Sequence, residues 1–125
     1  MVKKTLYPFL LILVLTNCKD QIVLTEGTYS GTLPCADCEA INYVLTLNRN
    51  MTYTENILYI GKSESKETNS GTYAIKNDSV VWLQNKNKGM NQFAIGNQKL
   101  EMLDISGQRI KSSFADKYIL SKTKP

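Results

Sequence analysis

Hydrophobic and polar positions alternate along much of the chain beyond Thr25, in short runs rich in β-branched and aromatic residues separated by turn formers. A run-and-turn repeat of about eight to twelve residues marks an all-β sandwich or barrel, and no helical period persists. The clearest strand places Ile41, Tyr43, Leu45 and Leu47 on one face and Asn42, Val44 and Thr46 on the other. Asn48-Arg49-Asn50 supplies a turn, Thr52 to Ile60 the returning strand, and the Ser-, Lys- and Glu-rich stretch from Gly61 to Ser70 reads as an exposed loop. Thr72 to Lys76 and Ser79 to Asn85 flank Asn77-Asp78, residues that tolerate positive φ in a tight hairpin. Phe93 to Ile95 and Lys99 to Leu103 flank Gly96-Asn97-Gln98; Ile105 to Ile110 holds a Ser106-Gly107 turn, and Lys117 to Ser121 makes a last strand. So many short strands in so small a chain favour a small closed antiparallel β-barrel, because closure removes exposed edges. Tyr43, Tyr73, Trp82 and Tyr118 are expected to fill its interior or to line a cavity, with core packing the commoner use of such rings.

The first seventeen residues differ in kind. Lys3 and Lys4 precede an apolar run from Leu6 to Leu15, the order of a secretory leader and too short to span a bilayer as a helix. The Leu15-Thr16-Asn17-Cys18 segment resembles a bacterial lipobox, with Asn17 in place of the usual small residue. That resemblance implies cleavage before Cys18 and acylation of its sulfur and amine, and several acyl chains anchor a protein stably where one does not. The domain boundaries that follow are a signal peptide over 1–17, a tether over 18–25 and a barrel over 26–123. Lys19-Asp20 after the cysteine, with no Asp directly following it, implies the outer membrane of the bacterial envelope.

Charge and composition narrow the function. Fifteen basic and eleven acidic residues give +4, and removal of Lys3 and Lys4 with the leader leaves +2. So small a balance with no basic cluster gives no support to nucleic-acid binding, and Lys76, Lys86 and Lys88 read as solvated lysines. The chain contains no histidine, which excludes Ser-His-Asp and Cys-His catalysis and any histidine-ligated zinc or copper. No pair of carboxylates is singled out as an acid and a base, and the expectation is a protein that is not an enzyme.

Cys35-Ala36-Asp37-Cys38 is the one constellation with chemical potential. Two thiols at this spacing close a disulfide that clamps the turn between the first two strands, hold a soft metal as thiolates, or exchange disulfides. A Cu(I) site needs further ligands, and Met51, Met90 or Met102 must then approach in the fold. A dithiol oxidoreductase lacks here the βαβ surroundings that make the motif persuasive. Asp37 and Glu39, beside the second cysteine, read as solvated turn residues.

The surroundings of this motif carry a resemblance. Gly27-Thr28-Tyr29-Ser30-Gly31-Thr32-Leu33-Pro34-Cys35-Ala36-Asp37-Cys38-Glu39-Ala40-Ile41 resembles the signature of the N-terminal domain of the copper resistance lipoprotein NlpE family. Tyr43 to Leu47 followed by Tyr53, then Ser70-Gly71-Thr72-Tyr73, then Leu100 to Asp104 with Gly107, follow in that family's order. The likeness covers residues 26 to 121. It implies a lipocalin-like antiparallel barrel on an outer-membrane lipid anchor at Cys18, with Cys35 and Cys38 as the copper or redox pair. It further implies a role in copper tolerance or in reporting surface contact or defective lipoprotein traffic to an envelope-stress sensor kinase. Longer members add a second β domain with its own cysteine pair, which this sequence lacks. Four classes stand open: an envelope lipoprotein for copper or stress response, a binder of a small apolar ligand, a thiol redox protein, and a purely structural module.

Overall fold

The computed structural model describes residues 25–61, 64–84, 86, 90–111, 113 and 115–123. Eight antiparallel strands run up and down around a closed barrel: β1 (Gly27–Leu33), β2 (Ala40–Leu47), β3 (Thr52–Ile60), β4 (Ser65–Lys76), β5 (Val80–Leu83), β6 (Gln92–Gly96), β7 (Lys99–Met102) and β8 (Ile119–Lys122). Each strand pairs with its sequence neighbour, and β1 closes on β8 through Tyr29↔Lys122 and Ser30↔Ser121. The all-β barrel expected from the strand pattern is therefore the fold observed.

The pleat explains which residues fill it. Tyr43, Leu45 and Leu47 of β2, Tyr53 and Ile57 of β3, Val81 and Leu83 of β5, Phe93 of β6, Leu100 and Met102 of β7 and Leu120 of β8 all point inward and are buried. An eight-stranded barrel is just wide enough for such side chains to fill. Asn77 and Asp78 take φ of 51° and 57°, the doubly left-handed conformation of a tight hairpin between β4 and β5. At the closure, a Cβ on Gly31 would lie 2.7 Å from the backbone oxygen of Ile119, so only glycine lets β1 approach β8.

Two expectations are corrected and one turn is found where expected. Residues 65–70 are strand rather than loop, because the β3–β4 ladder runs from Thr52↔Thr72 to Tyr59↔Ser65 and supplies their backbone partners. Their polar composition reflects exposure of this half of β4, not a lack of pairing. The Ser106-Gly107 turn expected within residues 105–110 is present: Asp104 Oδ1 accepts the N–H groups of Ser106 and Gln108 at 2.9 Å, the Gly107 N–H donates to Asp104 O at 2.9 Å, and Leu103↔Arg109 bridges the flanks. Trp82 is not an interior residue, because Val81 and Leu83 take the inward positions of β5. Its ring lies on the outer face with Lys76 Nζ 4.3 Å from the centroid.

The up-and-down course gives the barrel two rims. The upper rim carries the β1–β2, β3–β4, β5–β6 and β7–β8 connections. The lower rim carries the other turns and the entry of the chain, where the Tyr29 hydroxyl donates to the carbonyl of buried Thr25 at 2.9 Å. Among the described residues, no helix is long and apolar enough to cross a membrane. Cys18, the expected lipid site, lies outside the described residues.

Candidate functional site

Cys35 and Cys38 occupy the β1–β2 connection on the upper rim. Leu33↔Ile41 is the last pair of the β1–β2 ladder, so backbone register already brings the two ends of the connection together. Pro34, which has no N–H to donate, ends β1, and the Glu39 N–H returns the chain by donating to Ile60 O at 2.8 Å. A Cβ on Gly61, at φ +130°, would meet the Glu39 nitrogen at 3.0 Å, so this glycine lets the two upper connections touch.

Within that connection Cys35 and Cys38 are bonded as a disulfide with Cα atoms 5.3 Å apart. Both are half-buried, whereas Asp37 and Glu39 are exposed as a solvated turn would have them. Cys35 Sγ lies 3.6 Å from Asp37 Oδ1 and Cys38 Sγ lies 3.4 Å from Ala40 O. Cys35, Asp37 and Cys38 together present two sulfurs and a carboxylate within 4.8 Å of one another. Reduced, these atoms suit a soft ion through the thiolates; oxidised, they only clamp the turn. None of the three methionines joins this group through the geometry described. Met51 lies in the lower-rim turn, Met102 is buried in the core, and Met90 packs against the core.

A second cluster escaped sequence reasoning. Glu55 follows Tyr53 on the inward face of β3 and is completely buried. Its carboxylate accepts hydrogen bonds from the Tyr43 hydroxyl, from Asn69 Nδ2 at 3.0 Å and from Lys86 Nζ at 2.6 Å. Lys86, from the β5–β6 connection, has a side chain only 12% exposed and also donates to Met90 O at 3.0 Å. The expected solvated Lys86 is thus an interior counter-ion, because a carboxylate in an apolar barrel must be paired. Burial first, then the charge and hydrogen bond of Glu55, push the Tyr43 phenol well above its usual range. The polar line continues outward: Asn69 reaches Glu67 Oε1 at 3.4 Å and the Tyr59 hydroxyl reaches Glu67 Oε2 at 3.4 Å. The legible signal was a glutamate at an inward position between Tyr53 and Ile57.

Of the aromatic residues expected inside, Tyr43 and Tyr73 are buried and Tyr118 packs half-buried against the core. The Tyr73 hydroxyl donates to Asn48 O at 2.9 Å, and the Tyr43 and Phe93 rings lie 6.2 Å apart. These rings act as core. An open pocket of about 470 Å³ lies instead beside the lower rim, lined by Glu26, Thr28, Thr46, Arg49 and Lys122 among others.

Comparison with known proteins finds relatives of this chain and of its barrel. The family model of the NlpE N-terminal domain matches residues 29–113. Lipoprotein NlpE of Escherichia coli (strain K12) is 38% identical over 89 residues, covering 70% of this chain and 37% of that protein. The 17 kDa lipoprotein of Treponema pallidum (strain Nichols) is 26% identical over 117 residues, covering 85% of this chain and 75% of that one. Among solved structures, a Shewanella oneidensis protein assigned as a lipoprotein shares 34% identity at a TM-score of 0.73, covering 84% of this chain and 95% of that chain. The crystal structure of the Cpx pathway activator NlpE from Escherichia coli shares 34% identity at a TM-score of 0.60, covering 70% of this chain and 47% of that one. This chain therefore spans under half the length of the Escherichia coli protein. The motif, the closed barrel and the match over residues 29–113 place this chain in the NlpE N-terminal domain family.

Proposed function

We propose that this protein is a non-enzymatic lipoprotein of the bacterial envelope, anchored at the outer membrane through acylated Cys18, that reports copper or thiol stress to an envelope sensor protein. The upper-rim hairpin is the chemically responsive part. Oxidised, Cys35 and Cys38 clamp the turn; reduced, they offer two thiolates for Cu(I), with Asp37 beside them. The observation that carries this reading is that the pair lies outside the core on a connection whose ends the β1–β2 ladder already holds. A change of state there leaves the barrel closed. The likeness to a protein described as a Cpx pathway activator supports the signalling half.

The competing classes have less support. The interior is occupied by Tyr43, Phe93 and their neighbours, which leaves a small apolar ligand little to occupy among the described residues. The cysteines sit on a β-hairpin rather than at a helix N-terminus, so no helix dipole lowers a thiol pKa as dithiol oxidoreductases require. The test is Cu(I) stoichiometry of the reduced full chain by competition with a chelator. One ion held by the wild type and none by Cys35→Ser with Cys38→Ser supports the thiolate site. No uptake by the reduced wild type sinks the copper role and leaves the disulfide as the signal.

A further inference from the structure

The lower rim is not uniform. Its β4–β5 tip, Asn77-Asp78, is acidic and its β6–β7 tip, Asn97-Gln98, is uncharged, whereas the β2–β3 tip, Asn48 to Met51, carries Arg49. The Arg49 side chain is 84% exposed and grips Glu26 through Nε and Nη2, both at 3.2 Å. The Arg49 hydrogen bond first, and then the charges of Arg49 and Lys122, hold the Glu26 carboxyl below its usual range against some desolvation. All three side chains, with Thr28 and Thr46, line the open pocket of about 470 Å³. Two cations to one carboxylate leave that pocket with a net positive charge. Met51, on the same tip, is one of two large apolar residues exposed among the described residues, and it takes φ 66°. Glycine or asparagine adopts that conformation at less cost, so turn geometry does not account for an exposed methionine here. The tip itself is fixed: the Met51 N–H donates to Asn48 O at 3.1 Å, and the Tyr73 hydroxyl donates to the same carbonyl at 2.9 Å.

We propose that this side of the lower rim is a second membrane contact, in which Arg49 and Lys122 bind the phosphate of an anionic lipid headgroup in the pocket and Met51 enters the headgroup layer beside it. The occupant follows from where the chain enters. Thr25 is buried and accepts the Tyr29 hydroxyl, so the barrel begins at the lower rim. Seven residues lead from Cys18 to Thr25, a reach of at most about 25 Å. Glu26 and Gly27, which follow directly, themselves line the pocket. An anchor at Cys18 therefore holds this pocket near the bilayer, with the upper rim a strand's length further away. Tethering makes the contact intramolecular, so even a weak site is filled. Each cation near an anionic surface adds attraction, and the neighbouring sequence does not oppose it, since Lys19 and Asp20 cancel and Lys124 adds a further cation. The contact rests on the Cys18 anchor of the proposed function and adds a lipid site to it. Its consequence is orientation: the barrel stands with Cys35 and Cys38 turned away from the membrane that holds it.

The experiment is NMR of the full chain in nanodiscs of phosphatidylglycerol or of phosphatidylcholine, each carrying a gadolinium-chelating lipid. The docked-to-undocked ratio is read from relaxation enhancement at the amides of Arg49, Met51 and Thr123 relative to Asp37 and Cys38. It is expected to be about tenfold higher on phosphatidylglycerol than on phosphatidylcholine. Arg49→Gln with Lys122→Gln is expected to remove that difference, and Met51→Ser to lower the ratio about threefold on either lipid. Raising salt to about 1 M, where screening acts within about 3 Å, is expected to remove the difference for the unaltered protein, which keeps the test independent of how the variants fold. Equal enhancement at the two rims, the same ratio on both lipids, or a difference that survives in the double variant would overturn the proposal. Shifts at Arg49 and Thr28 as large with inorganic phosphate on phosphatidylcholine as with phosphatidylglycerol would replace the lipid by a soluble phosphate. Intact mass of the same sample reads acylation of Cys18. An unprocessed chain is held on the nanodisc by its apolar leader, so failure of the anchor and failure of the rim contact are separate results.

Discussion

The two sides of the barrel interior differ in one respect: one is wholly apolar and the other also buries a charged cluster. The β6–β8 side presents Phe93, Leu100 and Leu120, each completely buried and without a polar atom in its side chain. The β2–β4 side adds to its apolar Leu45, Leu47 and Ile57 a polar set, Tyr43, Glu55 and Asn69, closed by Lys86 from a connection. Apolar burial of the first kind is non-directional and tolerates exchange of shape. The second kind stabilises only while every partner is present, and it ties the β5–β6 connection to the wall of β3. The polar set thus adds positional specificity to one side, toward the rim that also carries Cys35 and Cys38.

The largest expected effect breaks the apolar side. Phe93→Ala should cost about 3 to 5 kcal/mol in chemical denaturation, whereas Ile105→Ala, at a side chain 77% exposed, should stay within about 0.5 kcal/mol. On the polar side, Lys86→Met should cost nearly as much, about 3 kcal/mol or more, because it strands the Glu55 carboxylate. Adding Glu55→Leu should recover most of that loss, since an apolar replacement of the whole pair removes the unpaired charge. A double variant as unstable as Lys86→Met alone would show that the pair holds the fold for another reason.

Alkaline pH sharpens the same contrast. The Tyr43 phenol is held well above its ordinary value of 10.0 chiefly by burial, with Tyr29, Tyr53 and Tyr73 raised less. A raised pKa in the folded state means that the stabilisation is complete below pH about 10 and is lost as pH rises toward the folded value. Absorbance at 295 nm should therefore show a group of tyrosines ionising late and together with unfolding, and Tyr43→Phe should shift that transition. The smallest effect belongs to the hairpin. Cys35→Ser with Cys38→Ser should cost about 2 kcal/mol or less, because the bonded loop is short and the β1–β2 ladder already closes it.

The barrel was legible because its inward positions repeat every second residue: Tyr43, Leu45 and Leu47 on β2 are buried as their spacing requires. What escaped was set by partners distant in sequence. Ser65–Ser70 is strand through its ladder with β3, although its composition is that of a loop. Trp82 faces outward because the register of β5 gives the interior to Val81 and Leu83, and size alone does not decide a face. Lys86 is an interior cation only because Glu55, 31 residues earlier, needs one. The cysteine pair was legible as a motif, and its position on the rim was implied by the strands on either side.

The most direct test of the account measures the Cys35→Ser with Cys38→Ser protein in its host envelope, following its abundance and the envelope-stress response to copper and to a thiol oxidant in the same cells. The account predicts wild-type abundance with the response lost, because the pair is the responsive element of a barrel that folds without it. A full response at unchanged abundance would contradict it, and would reduce the disulfide to a clamp on the β1–β2 turn.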